Sequence, residues 1–414
     1  MHDRGGDCRP GLVIVSNSVT PYRVNLHRLL VAGIPELQLH SLITHGVGDF
    51  DWSLNVPAEI NATNLSTPGD HPLDNPVAHP WAEWQKSGRM IDYLKQHRTA
   101  AVIINGYRYI PYLRLMSYCH RHGIPFFVRN DSNIRCEPQL SPFKSFVKRS
   151  MYSWWIKRAA GVCSMGDLGD EFFVKYGADP KRLYRVPYWP DFDAYVTADA
   201  DALARFKRKF GLNDQRRYLV YSGRLIRQKR VDLLIDAFAA IAAERPEWDL
   251  LIVGDGVLSQ ELRSRVPEVL RQRVVWTGFL DDDQPALAYH CGDVLVLPSE
   301  IEPWALVIQE AMAAGLAVVS SDVSGAAHEL VRGGVGGRIF RSGDVDSLRI
   351  ALVEVTAADK IDEFKREAVT ALQNYRDEVD PVAEVRRALC DVGVLSEKRA
   401  PSEGRILKDC SSNA

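Results

Sequence analysis

Several kinds of feature are scarce or missing in this 414-residue chain. The 7 cysteines are scattered and include no Cys-x-x-Cys pair, which argues against a disulfide scaffold or a zinc site and favours reduced thiols. No run reaches the roughly 18 consecutive apolar residues of a membrane-spanning helix, and the first residues lack the apolar core of a signal peptide. We therefore expect a cytoplasmic protein.

An excess of charge of one sign is also missing. Lys and Arg number 51 against 53 Asp and Glu, a formal net charge of -2, so no nucleic-acid partner is expected. The chain has no phosphate-binding Gly-Lys-[Ser/Thr] loop, no complete dinucleotide fingerprint and no His or Asp cluster with metal-ligand spacing. We expect neither a metal nor another cofactor.

What the sequence does contain is an alternation of short apolar runs with amphipathic stretches of helical length. Hydrophobic residues make up 46% and charged residues 25%, as in ordinary globular proteins. The predicted strands are 12–15, 101–104, 125–128, 217–222, 249–253, 274–276, 294–297 and 317–320. This rhythm predicts an α/β protein with parallel sheets and right-handed connections.

The chain length suggests two or three domains. The Pro-interrupted stretch 188–193 is the best candidate boundary, because it leaves two halves of suitable size for doubly wound domains that face each other across a ligand-binding cleft. The predicted segments are a flexible N-terminus (1–10), a first Rossmann-like domain (11–192), a second one (193–375) and a disordered tail (395–414).

Two glutamates follow the strand 294–297. Pro303 suits the first turn of a helix, and Glu302 and Glu310 would then be separated by about 12 Å of rise and roughly 80° of rotation. Such a pair could hold both ends of an extended ligand, with a phosphate on the N–H groups between them. The alternative is a capping glutamate and an unrelated surface glutamate.

Two other loops follow strands of the second half. Arg224 and Lys229 together suit a diphosphate, although a cation-rich, solvated helix entry is an alternative. Gly254-Asp-Gly256 could let backbone approach a nucleotide or form a plain tight turn.

Taken in order, these motifs resemble those of the retaining group 1 (GT4-type) glycosyltransferases. They are Gly223-Arg224-x4-Lys229, Val253-Gly-Asp-Gly256, Val275-Trp-Thr-Gly-Phe279 and Glu302-x7-Glu310. The resemblance covers about residues 11–390. It implies a GT-B fold of two facing Rossmann-like doubly wound domains with a C-terminal crossover helix. The last helix is expected at about 364–392, and 376–394 is the segment expected to return to the first domain.

The resemblance also implies the activity. A glycosyltransferase of this kind moves a sugar from a nucleoside-diphosphate-sugar to an acceptor hydroxyl with retention, without a metal, in glycan, glycolipid or polysaccharide biosynthesis. Alternatives are a catalytically inactive sugar-nucleotide-binding scaffold and another GT-B enzyme such as a sugar-nucleotide epimerase. The presence of both Glu302 and Lys229 argues against these alternatives.

Roles for individual residues follow from the resemblance. Arg224 and Lys229 would bind the diphosphate, Glu302 the transferred sugar and Glu310 the ribose. Other donor-side positions are Gly223, Gly254, Phe279 and the backbone of Trp304, Ala305 and Leu306. The acceptor side would include Asn17, Tyr22, Arg23 and Arg129, with Asp131 in a catalytic role; a structural loop role for Arg129 and Asp131 is the alternative.

The chain departs from the family pattern at three loops. Arg129-Asn-Asp131 stands where a histidine often follows a middle strand of the first domain. The loop Ser16-Asn-Ser-Val-Thr-Pro21 stands where many members have a Gly-Gly loop, and Thr20 could cap the next helix, with Pro21 at its first position. Ala305 stands where glycine is usual, which is acceptable if its φ is negative.

The stretch 142–158 combines aromatic and basic residues. As an amphipathic helix it could lie on an anionic membrane at its inner face and serve a lipid-linked acceptor. The alternative is a helix that packs Phe146, Met151 and Trp154 on its own sheet.

Overall fold

The computed structural model describes residues 9–45, 56–66, 80–107, 109–281 and 284–396. The predicted flexible N-terminus 1–10 and disordered tail 395–414 fall almost entirely outside the described residues.

The first half builds one parallel sheet. Its strands are β1 (Gly11–Ser16), β2 (Gln38–Ile43), β3 (Ala62–Asn64), β4 (Thr99–Asn105), β5 (Phe126–Arg129), β6 (Gly161–Ser164) and β7 (Leu183–Arg185), in the order β3-β2-β1-β4-β5-β6-β7. Its helices are α1 (Pro21–Gly33), α2 (Pro80–Gln96), α3 (Ile110–Arg121), α4 (Pro142–Ile156) and α5 (Asp167–Lys175). Core side chains of α2 to α5 pack on one face of the sheet, and those of α1 pack on the other.

The second half builds a second parallel sheet. Its strands are β8 (Arg217–Ser222), β9 (Trp248–Val253), β10 (Val274–Gly278), β11 (Val294–Leu297), β12 (Ala317–Ser321) and β13 (Gly337–Phe340), in the order β10-β9-β8-β11-β12-β13. Its helices are α6 (Asp193–Val196), α7 (Ala200–Phe210), α8 (Val231–Ile241), α9 (Ser259–Arg265), α10 (Gln284–His290), α11 (Leu306–Ala313), α12 (Gly325–Leu330), α13 (Val345–Val355) and α14 (Ile361–Glu378). The prediction of two doubly wound α/β domains is confirmed.

The chain returns to the first domain through a separate helix, α15 (Pro381–Asp391). Val385 and Leu389 of α15 join the core of the first domain, and Arg386 pairs with Glu36 at 2.8 Å. The expectation of one continuous helix over 376–394 is therefore wrong, because α14 ends at Glu378 and α15 begins at Pro381. Pro381 cannot continue α14, and the Asp380 side chain caps a new helix by accepting hydrogen bonds from the first backbone N–H groups.

The stretch between the two sheets is held by both halves. Trp189 and Phe192 lie in the core of the second domain. Asn25 of α1 donates hydrogen bonds to the carbonyls of Trp189 and Pro190, at 3.3 and 3.0 Å. The connection between the domains is thus anchored on each side.

Candidate active site

Three loops meet at the carboxyl edge of the second sheet because two glycines allow close backbone contact. Gly254 has φ 131, and a Cβ added there would lie 1.9 Å from the Gly223 carbonyl oxygen. Gly254 N–H also donates to the Gly278 carbonyl at 2.9 Å. Only glycine fits at position 254, so this position serves as more than a plain tight turn.

The Lys229 ammonium and the Glu302 carboxylate form an ion pair beside these loops. Lys229 Nζ lies 2.5 Å from Glu302 Oε2, and Ser299 Oγ donates to the same oxygen at 3.2 Å. Glu300 N–H donates to the Gln228 carbonyl at 2.8 Å, which ties the loop of Lys229 to the loop of Glu302. Glu302 is only 7% exposed. Because the Glu302 carboxylate is buried, its charge depends on the partly exposed Lys229 ammonium for compensation.

Strained backbone flanks this ion pair on both sides. Arg230 has φ 48 and Ala305 has φ 74, both in the left-handed region that disfavours a side chain. The expectation of a negative φ at Ala305 is wrong. Such strain persists where surrounding contacts enforce it, and it often occurs at functional sites.

The cause of the strain at Ala305 lies in the contacts of Trp304. The Trp304 carbonyl accepts hydrogen bonds from Ala326 N–H at 2.7 Å and Ser324 Oγ at 3.1 Å, and the buried Trp304 indole donates to Gln309 at 2.9 Å. The chain can then enter α11 only through a sharp turn. Helix α11 begins at Leu306, so Pro303 lies outside it, and the predicted helical spacing of Glu302 and Glu310 is wrong.

Glu310 lies within α11 in surroundings unlike those of Glu302. The Tyr289 hydroxyl lies 3.1 Å from Glu310 Oε2 and 3.0 Å from Ser222 Oγ. Burial raises the pKa of the Glu310 carboxyl, and hydrogen bonds from Tyr195 and Tyr289 offset part of that shift. Glu310 is therefore positioned as a hydrogen-bond acceptor at the end of β8.

Three other predicted donor-side residues surround these groups. The Arg224 side chain is exposed, and its carbonyl accepts a hydrogen bond from the buried Tyr221 hydroxyl at 2.8 Å. Phe279, which follows β10, is 45% exposed, and Leu306 starts α11. An extended ligand could contact all three.

Asn17 and Arg23 meet on the opposite side of the cleft, at the end of β1. Arg23 Nη1 donates to Asn17 Oδ1 at 2.7 Å and to the Ser18 carbonyl at 2.6 Å. Helix α1 begins at Pro21 as predicted, but the Thr20 side chain makes no capping hydrogen bond, so that expectation is wrong. Thr20 Oγ1 is instead buried without a partner, as is Arg23 Nε.

Tyr188, from the segment that joins the domains, contacts the other predicted acceptor-side residues, which are Tyr22, Arg129 and Asp131. Its hydroxyl donates to Asp131 Oδ2 at 3.1 Å, and its ring lies 4.5 Å from the Tyr22 ring. Arg129 is buried and donates to the carbonyls of Val186 and Pro187, each at 3.0 Å. These contacts agree with the structural alternative for Arg129.

Sequence reasoning missed the contact between the two domains at the ion pair. Glu302 N–H donates to Cys136 Sγ at 3.3 Å, and Asn133 Nδ2 donates to the carbonyls of Pro303 at 3.2 Å and Val323 at 2.9 Å. Burial raises the pKa of the Cys136 thiol to about 11. No local signal reveals these contacts, because the partners lie more than 160 residues apart along the chain.

A buried polar cluster in the first domain was also missed. Lys86, which is 0% exposed, donates to Glu83 at 2.9 Å and lies 3.1 Å from His45 Nε2. Thr44 Oγ1 lies 3.0 Å from His45 Nδ1 and 3.1 Å from the Tyr112 hydroxyl. Thr44 follows β2, so the cluster lies at the same sheet edge as Asn17 and Arg23.

Among the residues that the structure describes, no three His, Cys, Asp or Glu side chains are grouped so that they could hold a metal ion, and metal independence stays a prediction. No described helix has the length and apolar character needed to cross a membrane.

Comparison with solved structures establishes the class of fold. Anabaena HepE, solved in complex with UDP and glucose, superposes with a TM-score of 0.71 at 18% identity, covering 94% of this chain and 100% of HepE. WaaG, a glycosyltransferase involved in lipopolysaccharide biosynthesis, superposes with a TM-score of 0.64 at 17% identity, covering 92% of this chain and 99% of WaaG. The fold is the GT-B fold of these glycosyltransferases.

Sequence comparison establishes the family of the second domain. Residues 216–357 match the family described as "Glycosyl transferases group 1". The alpha-D-kanosaminyltransferase of Streptomyces kanamyceticus is 30% identical over 185 residues, which are 44% of this chain and 47% of that protein. The lipopolysaccharide core mannosyltransferase LpsB of Rhizobium meliloti is 30% identical over 167 residues, 39% of this chain and 43% of LpsB.

These matches span less than half the length of both relatives. Residues 216–357 are a group 1 glycosyltransferase domain, as predicted, and the retaining, GT4-type subtype stays a prediction.

Proposed function

We propose that the protein is a retaining glycosyltransferase that transfers a sugar from a nucleoside-diphosphate-sugar to an acceptor hydroxyl without a metal ion. The observation that carries this proposal is the ion pair of the partly exposed Lys229 with the buried Glu302 at the carboxyl edge of the second sheet, in the cleft between the domains. Ligands of open α/β sheets bind at such edges.

The positive charges suit the departing diphosphate. Transfer breaks the bond between the anomeric carbon and the diphosphate oxygen, which leaves negative charge on that oxygen and oxocarbenium character on the sugar. Lys229, Arg224 and the N–H groups at the start of α11 stabilise the developing negative charge. The strained turn at Ala305 starts the helix beside Glu302, so phosphate and sugar are held side by side.

The two glutamates act on different parts of the donor. Glu302 exchanges part of its contact with Lys229 for a hydroxyl of the transferred sugar. Glu310, which Tyr289 holds near Ser222, accepts hydrogen bonds from the ribose hydroxyls. Gly254 and Phe279 flank the base, which backbone groups recognise.

Retention follows from attack on the face from which the diphosphate leaves. The acceptor oxygen forms a bond to the anomeric carbon as the bond to the diphosphate breaks, and the acceptor proton passes to a phosphate oxygen. The protein's work in this step is mainly positioning. Asp131, oriented by Tyr188, accepts a hydrogen bond from the acceptor on the first-domain side.

The names of similar proteins guide the choice of substrates. HepE was solved with UDP-glucose as well as with UDP, and one relative of Mycolicibacterium smegmatis is a GDP-mannose-dependent mannosyltransferase. UDP- and GDP-sugars are therefore the first donors to test. A role in glycan, glycolipid or polysaccharide assembly accords with LpsB, a lipopolysaccharide core enzyme.

Release of free nucleotide from UDP- and GDP-sugars, measured with and without EDTA, tests the proposal. We expect one donor to be turned over equally well in both conditions, and a product whose anomeric proton coupling in NMR matches that of the donor. Inversion or dependence on a metal would contradict the mechanism. Nucleotide binding without any turnover would favour the inactive-scaffold alternative.

A further inference from the structure

Helix α4 exposes an apolar stripe. Phe143 and Phe146 are 76% and 69% exposed, and Val147, Met151 and Trp154 continue the stripe at helical spacing. The side chains that α4 buries are Tyr152 and Ile156. The interpretation that Phe146, Met151 and Trp154 pack on their own sheet is therefore wrong, because among the residues that the structure describes the stripe stays exposed.

The charged side chains of the segment that carries the stripe are all of one sign. Residues 138–158 contain five cations and no acidic residue: Lys144, Lys148, Arg149, Lys157 and Arg158. Lys148 is paired with Glu137 at 2.6 Å, and the Arg158 guanidinium lies 3.8 Å from the centre of the Trp154 ring. An apolar stripe flanked by cations and a tryptophan complements a surface that is apolar inside and anionic outside.

The stripe starts next to the cleft. The pair Lys148–Glu137 joins α4 to the residue after Cys136, whose Sγ accepts a hydrogen bond from Glu302 N–H. In α2, which packs on the same face of the sheet, Trp81 is 70% exposed and Trp84 is 48% exposed. Helices that follow parallel strands begin at the carboxyl edge of the sheet, so Phe143 and Trp81, in the first turns of α4 and α2, lie on the cleft side of the first domain.

We propose that α4, with the first turn of α2, docks the protein on the surface of a bilayer that contains anionic lipids. The aromatic side chains enter the boundary between headgroups and acyl chains, and Lys144 and Arg149 contact lipid phosphates. A second copy of this chain docked through the same helix is a weaker fit, because residues 138–158 contain no acid that could pair with the cations of the other copy. Docking in this orientation presents the first-domain side of the cleft to the membrane and goes beyond the transfer reaction itself.

Sedimentation of the full chain with phosphatidylcholine vesicles, with and without phosphatidylglycerol, tests the proposal. We expect binding to the anionic vesicles that weakens as salt is added, and little binding to the neutral ones. The double variant Phe143→Ser with Phe146→Ser should bind at least about tenfold more weakly, since two inserted rings are lost. Lys144→Glu with Arg149→Glu should lower binding to anionic vesicles by about tenfold or more.

A matched control keeps the experiment decisive. Val257 and Val269 are 88% and 86% exposed on the second domain, so Val257→Ser with Val269→Ser removes apolar surface elsewhere and should bind as the wild type does. All variants should keep the wild-type melting temperature, because the substituted side chains are exposed.

Three results would overturn the proposal. They are a wild type that does not sediment with anionic vesicles, a Phe143→Ser/Phe146→Ser variant that binds unchanged, and control variants that lose as much binding. A dimer in solution that this Phe variant alone dissociates, with no vesicle binding, would assign the stripe to a second copy of the chain instead.

Discussion

The two sides of the cleft are built in different ways. On the second domain, the candidate donor residues lie between Ser222 and Glu310, in segments that follow four strands of one sheet. The motifs that the sequence shows in succession are thus brought together at one sheet edge. On the first domain, the polar groups come from the ends of several strands, from α2 and from the linker residue Tyr188. The second domain thus forms its side of the cleft from the loops of one sheet edge, whereas the first domain forms its side from strand ends, a helix and the linker.

This difference separates what the two sides recognise. The ion pair Lys229–Glu302 and the glycine contact at Gly254 join neighbouring loops at one edge of the second sheet, beside the start of α11, which suits a diphosphate common to all donors. The groups around Asn17, Arg23 and Lys86 lie on loops and on α2 at the edge of the first sheet, which suits acceptor contacts. Substitutions on the two sides should therefore separate donor effects from acceptor effects.

The largest effect is expected at Glu302. Glu302→Gln should lower kcat by about 10²–10³-fold, because the carboxylate that pairs with Lys229, and that we propose contacts the sugar, is lost. The fold should remain, since the amide oxygen still accepts from Ser299 Oγ. Steady-state nucleotide release measures the loss. Glu300→Gln is the control, because Glu300 is exposed and lies 3.5 Å from Arg230, and a similar loss there would refute a specific role for Glu302.

A substitution on the other side should change the acceptor dependence alone. Arg23→Ala should raise the KM for the acceptor by about tenfold, because Arg23 orders the loop of Asn17 and Ser18. Titration with nucleoside diphosphate should give an unchanged Kd. Arg28, an exposed residue of the same helix, provides the control as Arg28→Ala. A weakened nucleotide affinity in Arg23→Ala would contradict the separation of acceptor binding on the first domain from donor binding on the second.

The raised pKa of Glu310 gives a test based on pH. As the pH falls, this carboxyl takes up a proton earlier than an ordinary glutamate, whose pKa is about 4.3, and donor affinity should fall with it. Glu310→Gln should bind the donor about tenfold more weakly at neutral pH and lose this pH dependence. Donor titrations from neutral pH down toward the ordinary glutamate pKa measure both effects. A wild-type affinity that does not change with pH would contradict the role of Glu310 in donor binding.

The raised pKa of Glu310 also predicts that replacing this residue does not destabilise the fold. Because the raised pKa means that the folded state holds the proton more tightly than the unfolded chain, the ionised carboxylate costs folding free energy at neutral pH. Glu310→Gln removes that cost and should melt no lower than the wild type without ligand. A clearly lower melting temperature would show that the hydrogen bonds from Tyr195 and Tyr289 outweigh burial.

The smallest effect is expected at Ala305. Ala305→Gly should raise the free energy of unfolding by about 1 kcal/mol, because glycine adopts positive φ without strain. Urea unfolding measures the change. Ala313→Gly, in the last turn of α11, is the control and should be destabilised, since its backbone is helical. A destabilised Ala305→Gly would show that the left-handed turn carries no strain.

The architecture could be predicted where apolar runs are long and uninterrupted. Strands β8 and β11 match their predicted ends, whereas β2 was missed because it buries the polar residues His40 and Ser41. The short strands β6 and β7 give too little pattern to detect. Local periodicity therefore predicts the central strands better than short or polar ones.

The sequence predicts which residues form the candidate site, but it does not predict their local backbone geometry. The motifs named Lys229 and Glu302, but the left-handed turn at Ala305 depends on hydrogen bonds from Ser324 and Ala326 to Trp304. Likewise, nothing near Cys136 in the sequence indicates its contact with Glu302. Such features arise from tertiary packing, which overrides local preference.

The most direct test of the account is the affinity for UDP and GDP of the wild type, Lys229→Ala, Arg227→Ala and Arg23→Ala, measured by calorimetry. We expect one nucleotide to bind the wild type, and Lys229→Ala to bind it about 10- to 100-fold more weakly, the value of a charge-assisted hydrogen bond of about 1.5–3 kcal/mol. Arg227→Ala, in the same turn, and Arg23→Ala should bind as the wild type does. Equal affinity in the wild type and Lys229→Ala, or no binding of either nucleotide to the wild type, would contradict a donor site at Lys229 and Glu302.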